Sequence, residues 1–137
     1  MTAAPAIIIL GPSALPCARR IQARYPQADI HGLRSRVMDV ERTYEDFGDN
    51  LRALYRTGTP LIVLCAAGIV IRSLAAVLGE KDSEPPVLAV AEDGSAVVPL
   101  LGGLGGVNRM ARELAAHLQV SAAITTSGEL RFGTCLL

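Results

Sequence analysis

The sequence predicts an α/β fold: a three-layer sandwich with a mostly parallel sheet and one β-hairpin. Three observations carry this expectation. Aromatics make up 4% of the chain and Trp is absent, so the core must come from Ile, Val, Leu and Ala. "AIIIL" (Ala6 to Leu10) and "LIVLC" (Leu61 to Cys65) are short continuous apolar runs, the pattern of strands buried on both faces. Between such runs lie stretches with apolar residues at helical spacing, and alternating strands and helices give a parallel sheet.

The elements follow in order. "AIIIL" is a central strand closed by "GPS"; Ser13 is placed to cap the next helix, with Pro16 tolerated in its first turn. Leu15, Ala18, Ile21 and Tyr25 form that helix's apolar stripe, and a short strand is expected around Ala28 to His31. "SRVMDVERT" is ambiguous in pattern and is compatible with a loop. From Tyr44 to Arg56 the spacing of Phe47, Leu51, Leu54 and Tyr55 is helical. After "LIVLC", "AAG" leads into "IVIRSLAAVL", a helix whose only charge is Arg72. Gly79 to Pro86 is a polar loop. "VLAV" and "SAVVPLL" flank Glu92-Asp93-Gly94 and read as a β-hairpin. A glycine loop then feeds a helix with Leu104, Val107, Ala111, Leu114 and Leu118 on one stripe. Ser121 to Thr126 is the last expected strand, and the tail "SGELRFGTCLL" has no evident partner.

The 137 residues suit one domain, 1–137. Thirteen basic and thirteen acidic residues cancel, which argues against a broad nucleic-acid surface. All the basic residues but Lys81 are Arg, which fits either anion binding or a GC-rich coding sequence. Cys17, Cys65 and Cys135 lie far apart without zinc spacing or a CxxC motif, so free thiols in a reducing cytoplasm are expected. The N-terminus is no signal peptide, and the longest apolar run, Leu61 to Ile71, is too short to span a bilayer. No metal site or cofactor motif is recognisable.

Ligands of such folds bind at loops leaving the carboxyl ends of strands. Gly11-Pro12-Ser13, Ala66-Ala67-Gly68, Gly102 to Asn108 and Thr125 to Gly128 are the candidates. Whether they share one edge depends on the hairpin. If the Val87 strand is parallel to the Leu61 strand, the glycine loop opens on the far edge; if the Gly79 to Pro86 loop reverses the chain, the edges match. The glycine loop is not a nucleotide fingerprint, because Asn108 stands where the last glycine of G-x-G-x-x-G belongs and no Gly-Lys-Ser/Thr ending occurs. Its glycines, Gly102, Gly103, Gly105 and Gly106, still permit close backbone approach, and the helix start beyond them favours an anionic group or a tight turn. Arg72 and Arg109 are candidate anion donors or solvent-facing side chains; Thr125 and Thr126 could contact a ligand or cap a turn. Glu92 and Asp93 suit a turn better than an acid/base pair. His31 and His117 belong to no catalytic triad or metal pattern. No self-sufficient catalytic set is present, and the catalytic residues are unknown.

Three stretches in series resemble one family: "LIVLCAAGIVIRSLAAVLGEKDSEPPVLAVAEDG", "VVPLLGGLGGVNRMARELA" and "AAITTSGE". Their order and spacing are similar to the N-terminal domain of the cobalamin-biosynthesis protein CbiG, cobalt-precorrin-5A hydrolase, over about Ala6 to Arg131. The resemblance implies work on a corrin-ring precursor. The full-length family opens a δ-lactone on the macrocycle and expels acetaldehyde, using a C-terminal domain that this chain lacks. Similar domains are also fused to the precorrin-3B C17-methyltransferase, and a homodimer through a sheet edge or the tail is a further expectation. By the resemblance, Gly68, Arg72, the glycine-loop amides, Asn108, Arg109, Thr125 and Thr126 would receive the carboxylates of a precorrin. Leu104 stands where the family has His, Ala67 where Thr is usual, and Ala91 where an Asp is usual. A copy of this kind is expected to bind or help process a precorrin, with weak or no lactone hydrolysis alone.

Overall fold

In the computed structural model, which describes residues 3–79 and 83–126, one six-stranded sheet is covered by helices on both faces. The strands are β1 (Ala6–Ile9), β2 (Ile30–Leu33), β3 (Arg42–Tyr44), β4 (Leu61–Leu64), β5 (Val87–Val90) and β6 (Val97–Leu101), in the order β3-β2-β1-β4-β5-β6. All neighbours pair in parallel except β5 and β6, which form the expected hairpin. Its turn needs Gly94, at φ +81, and Asp93 braces it by accepting from the Ser95 N–H at 3.0 Å.

Among the described residues the α-helices are α1 (Leu15–Arg24), α2 (Phe47–Arg56), α3 (Ala67–Leu74) and α4 (Val107–Leu118). Alternation along each strand divides the core in two. Ile7, Ile9, Ile62 and Leu88 pack with Ile21 of α1 and Leu114 of α4 on one face. Ile8, Leu61 and Val63 pack with Leu51 of α2 and Val70 of α3 on the other. Right-handed crossovers require this arrangement once the chain winds outward from β1 in one direction and then from β4 in the other. The point where that direction changes lies between β1 and β4, which pair from Ala6↔Leu61 to Ile9↔Leu64.

Several expectations are corrected. Ser13 does not cap α1; it lies in a 3-10 turn, Pro12–Ala14, and its hydroxyl donates to Glu92 instead, at 2.6 Å. The second strand starts at Ile30 rather than Ala28 and runs through His31 to Leu33. Tyr44 closes edge strand β3, which read as loop because its Arg and Thr face solvent; α2 starts at Phe47, capped by Asp46, which accepts from the Asp49 N–H at 2.8 Å. The helix after β4 starts at Ala67 and tightens into a 3-10 turn at Ala75–Val77. Leu104 is not on the α4 stripe but in a 3-10 turn, Gly103–Gly105, and is 57% exposed. Ser121 to Thr126 forms no named strand; it contributes one parallel bridge, Val97↔Ala122, with the Ala123 N–H donating to Val97 O at 3.0 Å. Gly128, Cys135 and the tail lie outside the described residues.

Two groups beside β2 contribute to the acid response of this fold. Burial pushes the Glu41 carboxyl up, but hydrogen bonds from Arg19, the Ile30 N–H and Gln22 outweigh it and hold the pKa at about 2. Burial, with the Arg42 charge, lowers the pKa of His31. The signs are distinct in position. The His31 penalty begins as pH falls below the unfolded value near 6.5. The Glu41 contribution is present above about 4.5 and is lost towards pH 2. Urea titrations across pH should therefore show a first decline that His31→Gln flattens, and a separate one at lower pH that Glu41→Gln removes.

Candidate functional site

The hairpin decides where the glycine loop opens. β5 is parallel to β4, so β6 runs backward and ends beside the start of β5, with Val87↔Leu101 in register. The loop therefore sits at the amino-terminal edge of the parallel strands, opposite the usual ligand edge. Gly68 and Arg72 lie at the carboxyl-terminal edge. The sequence-predicted residues are thus divided between two ends of the sheet.

At the amino-terminal edge, Gly102 (φ +91) is obligatory, because a Cβ there would lie 2.5 Å from Pro85 O. The Gly105 and Val107 N–H groups both donate to Gly102 O, at 2.9 and 3.2 Å, which folds the loop onto itself. Gly106 (φ +91) is the N-cap of α4 and offers no capping side chain, so beyond the engaged Val107 N–H the Asn108 and Arg109 amides and the positive dipole end stay open to an incoming acceptor. Asn108 is 6% exposed and turns away from this opening; its Nδ2 donates to Thr126 Oγ1 at 3.2 Å, which ties the last described residues to α4. Asn108 and Thr126 are thereby brought together as a structural tie.

Gly105, Gly106 and Arg109 line a cleft of about 810 Å³. Arg24 and Tyr25 at the end of α1 line it too, as does Glu113, one turn beyond Arg109 on α4; sequence reasoning missed these residues. Arg24 donates to Glu113 at 2.7 Å and lies over the Tyr25 ring, 5.0 Å from its centroid. The Tyr25 hydroxyl is buried with no partner among the described residues, and burial raises its pKa. Arg109 is exposed and makes no ion pair with a described residue. The open groups are donors, and the one carboxylate of the cleft is neutralised by Arg24.

At the carboxyl-terminal edge, the Arg72 guanidinium folds back over Gly68, with Nη1 3.3 Å from where a Cβ would stand. Arg36 lies over Gly11 in the same manner, 4.0 Å away. The Ser13–Glu92 bond spans this end between the loops that follow β1 and β5. Cys65 is buried beneath it; burial and the Glu92 charge push its thiol up to about 11, so it is no thiolate nucleophile. His117, in the last turn of α4, binds Arg20 O through Nε2 at 2.7 Å. No helix among the described residues is long and apolar enough to cross a membrane.

Residues 49–129, from α2 to just beyond Thr126, match the family described as cobalamin synthesis G N-terminal. The cobalt-precorrin-5A hydrolase of Salmonella typhimurium is 32% identical over 126 residues, covering 91% of this chain and 36% of that protein. The enzyme of the same name from Priestia megaterium is 26% identical over 133 residues, 92% of this chain and 36% of its own length. This chain therefore spans about a third of the curated relatives it matches. The crystal structure of a cobalamin biosynthesis protein G homolog from Sulfolobus solfataricus has the same fold, with a TM-score of 0.66 at 20% identity over 88% of this chain and 36% of that one. On this match, which includes α3, the hairpin and the glycine loop, the chain belongs to the cobalamin synthesis G N-terminal family.

Proposed function

We propose that residues 1–137 form one domain that binds a precorrin intermediate of cobalamin biosynthesis through the ring's carboxylates. The observation that carries this reading is the open donor set of the amino-terminal cleft: the uncapped start of α4 and the Arg109 guanidinium, beside Gly105 and Gly106. A precorrin bears many acetate and propionate arms, and paired amides and guanidinium groups are the donors such arms require. At the carboxyl-terminal edge, Gly68 and Arg72 would serve a second region of a large ring or a different ligand.

Lactone opening needs a base to activate water and donors to hold the oxyanion. The α4 amides suit the second task. Glu113 does not suit the first, because Arg24 holds it at 2.7 Å. The reading is therefore a binding domain with little hydrolysis of its own, acting with a C-terminal hydrolase domain or a precorrin methyltransferase domain. The buried free thiols Cys17 and Cys65 support a reducing, cytoplasmic setting.

Titration with cobalt-precorrin-5A, followed by absorbance and calorimetry, should give saturable binding. Arg109→Ala should weaken it about tenfold, the loss of one charge-assisted hydrogen bond. No spectral or calorimetric change in the parent protein would overturn the reading. A second reading, a docking module for a fused or separate enzyme, is favoured by Ile71 on α3 and Leu78 just beyond it, which are 52% and 43% exposed. Its sign would be self-association or partner capture in sedimentation that Ile71→Glu abolishes.

A further inference from the structure

A second cleft, of about 640 Å³, lies between β2, β3 and α2 and shares Ala4, Pro5 and Gln27 with the glycine-loop cleft. Buried in it is His31, 8% exposed, whose ring makes no hydrogen bond to a described residue. Asn50 of α2 lines the same cleft, and its amide nitrogen is buried without an acceptor among the described residues. A buried amide donor left unmatched is costly unless something that enters the cleft satisfies it, and the His31 ring beside it is free to join.

The carboxylates of this cleft are already engaged. Asp29 accepts from Arg42 Nε at 2.9 Å. Glu41 accepts from Arg19 at 2.6 Å, and from Gln22 and the Ile30 N–H at 2.8 Å each. The open donors are the Asn50 amide, one imidazole N–H of His31 and the terminal guanidinium nitrogens of Arg42, against a single open acceptor, the other imidazole nitrogen. A molecule bringing acceptors, and negative charge to set against Arg42, matches the buried Asn50 donor; one bringing donors alone leaves it unmatched.

We propose that the His31–Asn50–Arg42 cleft is a binding site for a small aliphatic carboxylate. The carboxylate is either a free acid or an arm of a ring seated in the adjoining glycine-loop cleft, and only the second source rests on the corrinoid reading above. Arg42, Asp29 and Glu41 are the charged groups whose fields reach His31, and burial with the Arg42 charge keeps its imidazole neutral. An added carboxylate would favour the imidazolium, so occupancy should raise the His31 titration midpoint.

The test is NMR on the whole chain, following the His31 ring and the Asn50 side-chain amide during addition of sodium propionate. Propionamide and sodium chloride at matched ionic strength serve as controls. The expected result is a saturable shift of both signals with propionate alone, a higher His31 midpoint, and affinity about tenfold weaker in Asn50→Leu and in Arg42→Gln. Either variant suffices if the other fails to fold. Absence of a saturable propionate shift, or equal shifts with chloride, overturns the site. A parallel titration with dicyanocobyrinic acid separates the two sources. Shifts at His31 together with the Gly105 and Gly106 amides support the ring arm. Shifts at the glycine amides alone, with propionate inert, overturn this site and leave the corrinoid reading standing. Shifts at His31 with propionate, and none at the glycine loop with the corrinoid, do the reverse.

Discussion

Gly102→Ala is expected to lower stability by about 3 kcal/mol, combining about 1–2 kcal/mol for a side chain at positive φ with about 1–3 kcal/mol for overpacking. The new Cβ would meet rigid backbone, with Pro85 O at 2.5 Å and Pro86 Cα at 2.6 Å, so no side-chain movement can relieve it. Gly106 supplies the control. It has the same φ of +91, yet nothing lies within 4 Å of its Cβ position, so Gly106→Ala should cost only the conformational share, about 1 kcal/mol. Thermal or urea unfolding of the two variants reads the difference directly. Equal losses would mean that the close approach to Pro85 does not hold the loop.

Leu114→Ala is expected to cost about 2–5 kcal/mol, the usual range for a leucine removed from a packed core. Leu114 is 0% exposed and joins α4 to the α1 side of the sheet, so its loss should also loosen the start of α4 and weaken ligand binding. Leu104 offers the contrast. It is 57% exposed, so Leu104→His should change stability by less than about 0.5 kcal/mol while adding an imidazole to the glycine loop. Denaturation midpoints of both variants check the pair. A large loss from Leu104→His would mean that the loop packs differently.

The central strands were legible because they are buried on both faces. "AIII" and "LIVL" are wholly apolar, and a run that polar residues never interrupt announces its own burial. β3 was not legible, because an edge strand with two exposed residues in three carries no such signal. The last expected strand failed for a related reason: "SAAITT" has strand composition, but only Ala122 finds a bridge partner in the sheet. The glycine loop could be recognised in the sequence, but not its edge. That depended on how Gly79 to Pro86 returns the chain, and Leu61 N–H donating to Pro86 O at 2.8 Å is a long-range contact that local pattern does not encode. Arg24 and Tyr25 were overlooked for the same reason, since only the placed hairpin brings the end of α1 opposite the start of α4. The resemblance located the segments correctly and left open that their donors face two ways.

That opposition has an electrical consequence. α1, α2 and α3 each follow a parallel strand and point their positive ends toward its carboxyl-terminal edge, whereas α4 follows the reversed β6 and points the other way. The hairpin therefore sets one positive helix end, that of α4, at the amino-terminal edge, where α1, α2 and α3 present their negative ends. A polyanion approaching from either end meets a helix start, a glycine and an unencumbered guanidinium: Arg72 over Gly68 at one end, Arg109 beside Gly106 at the other.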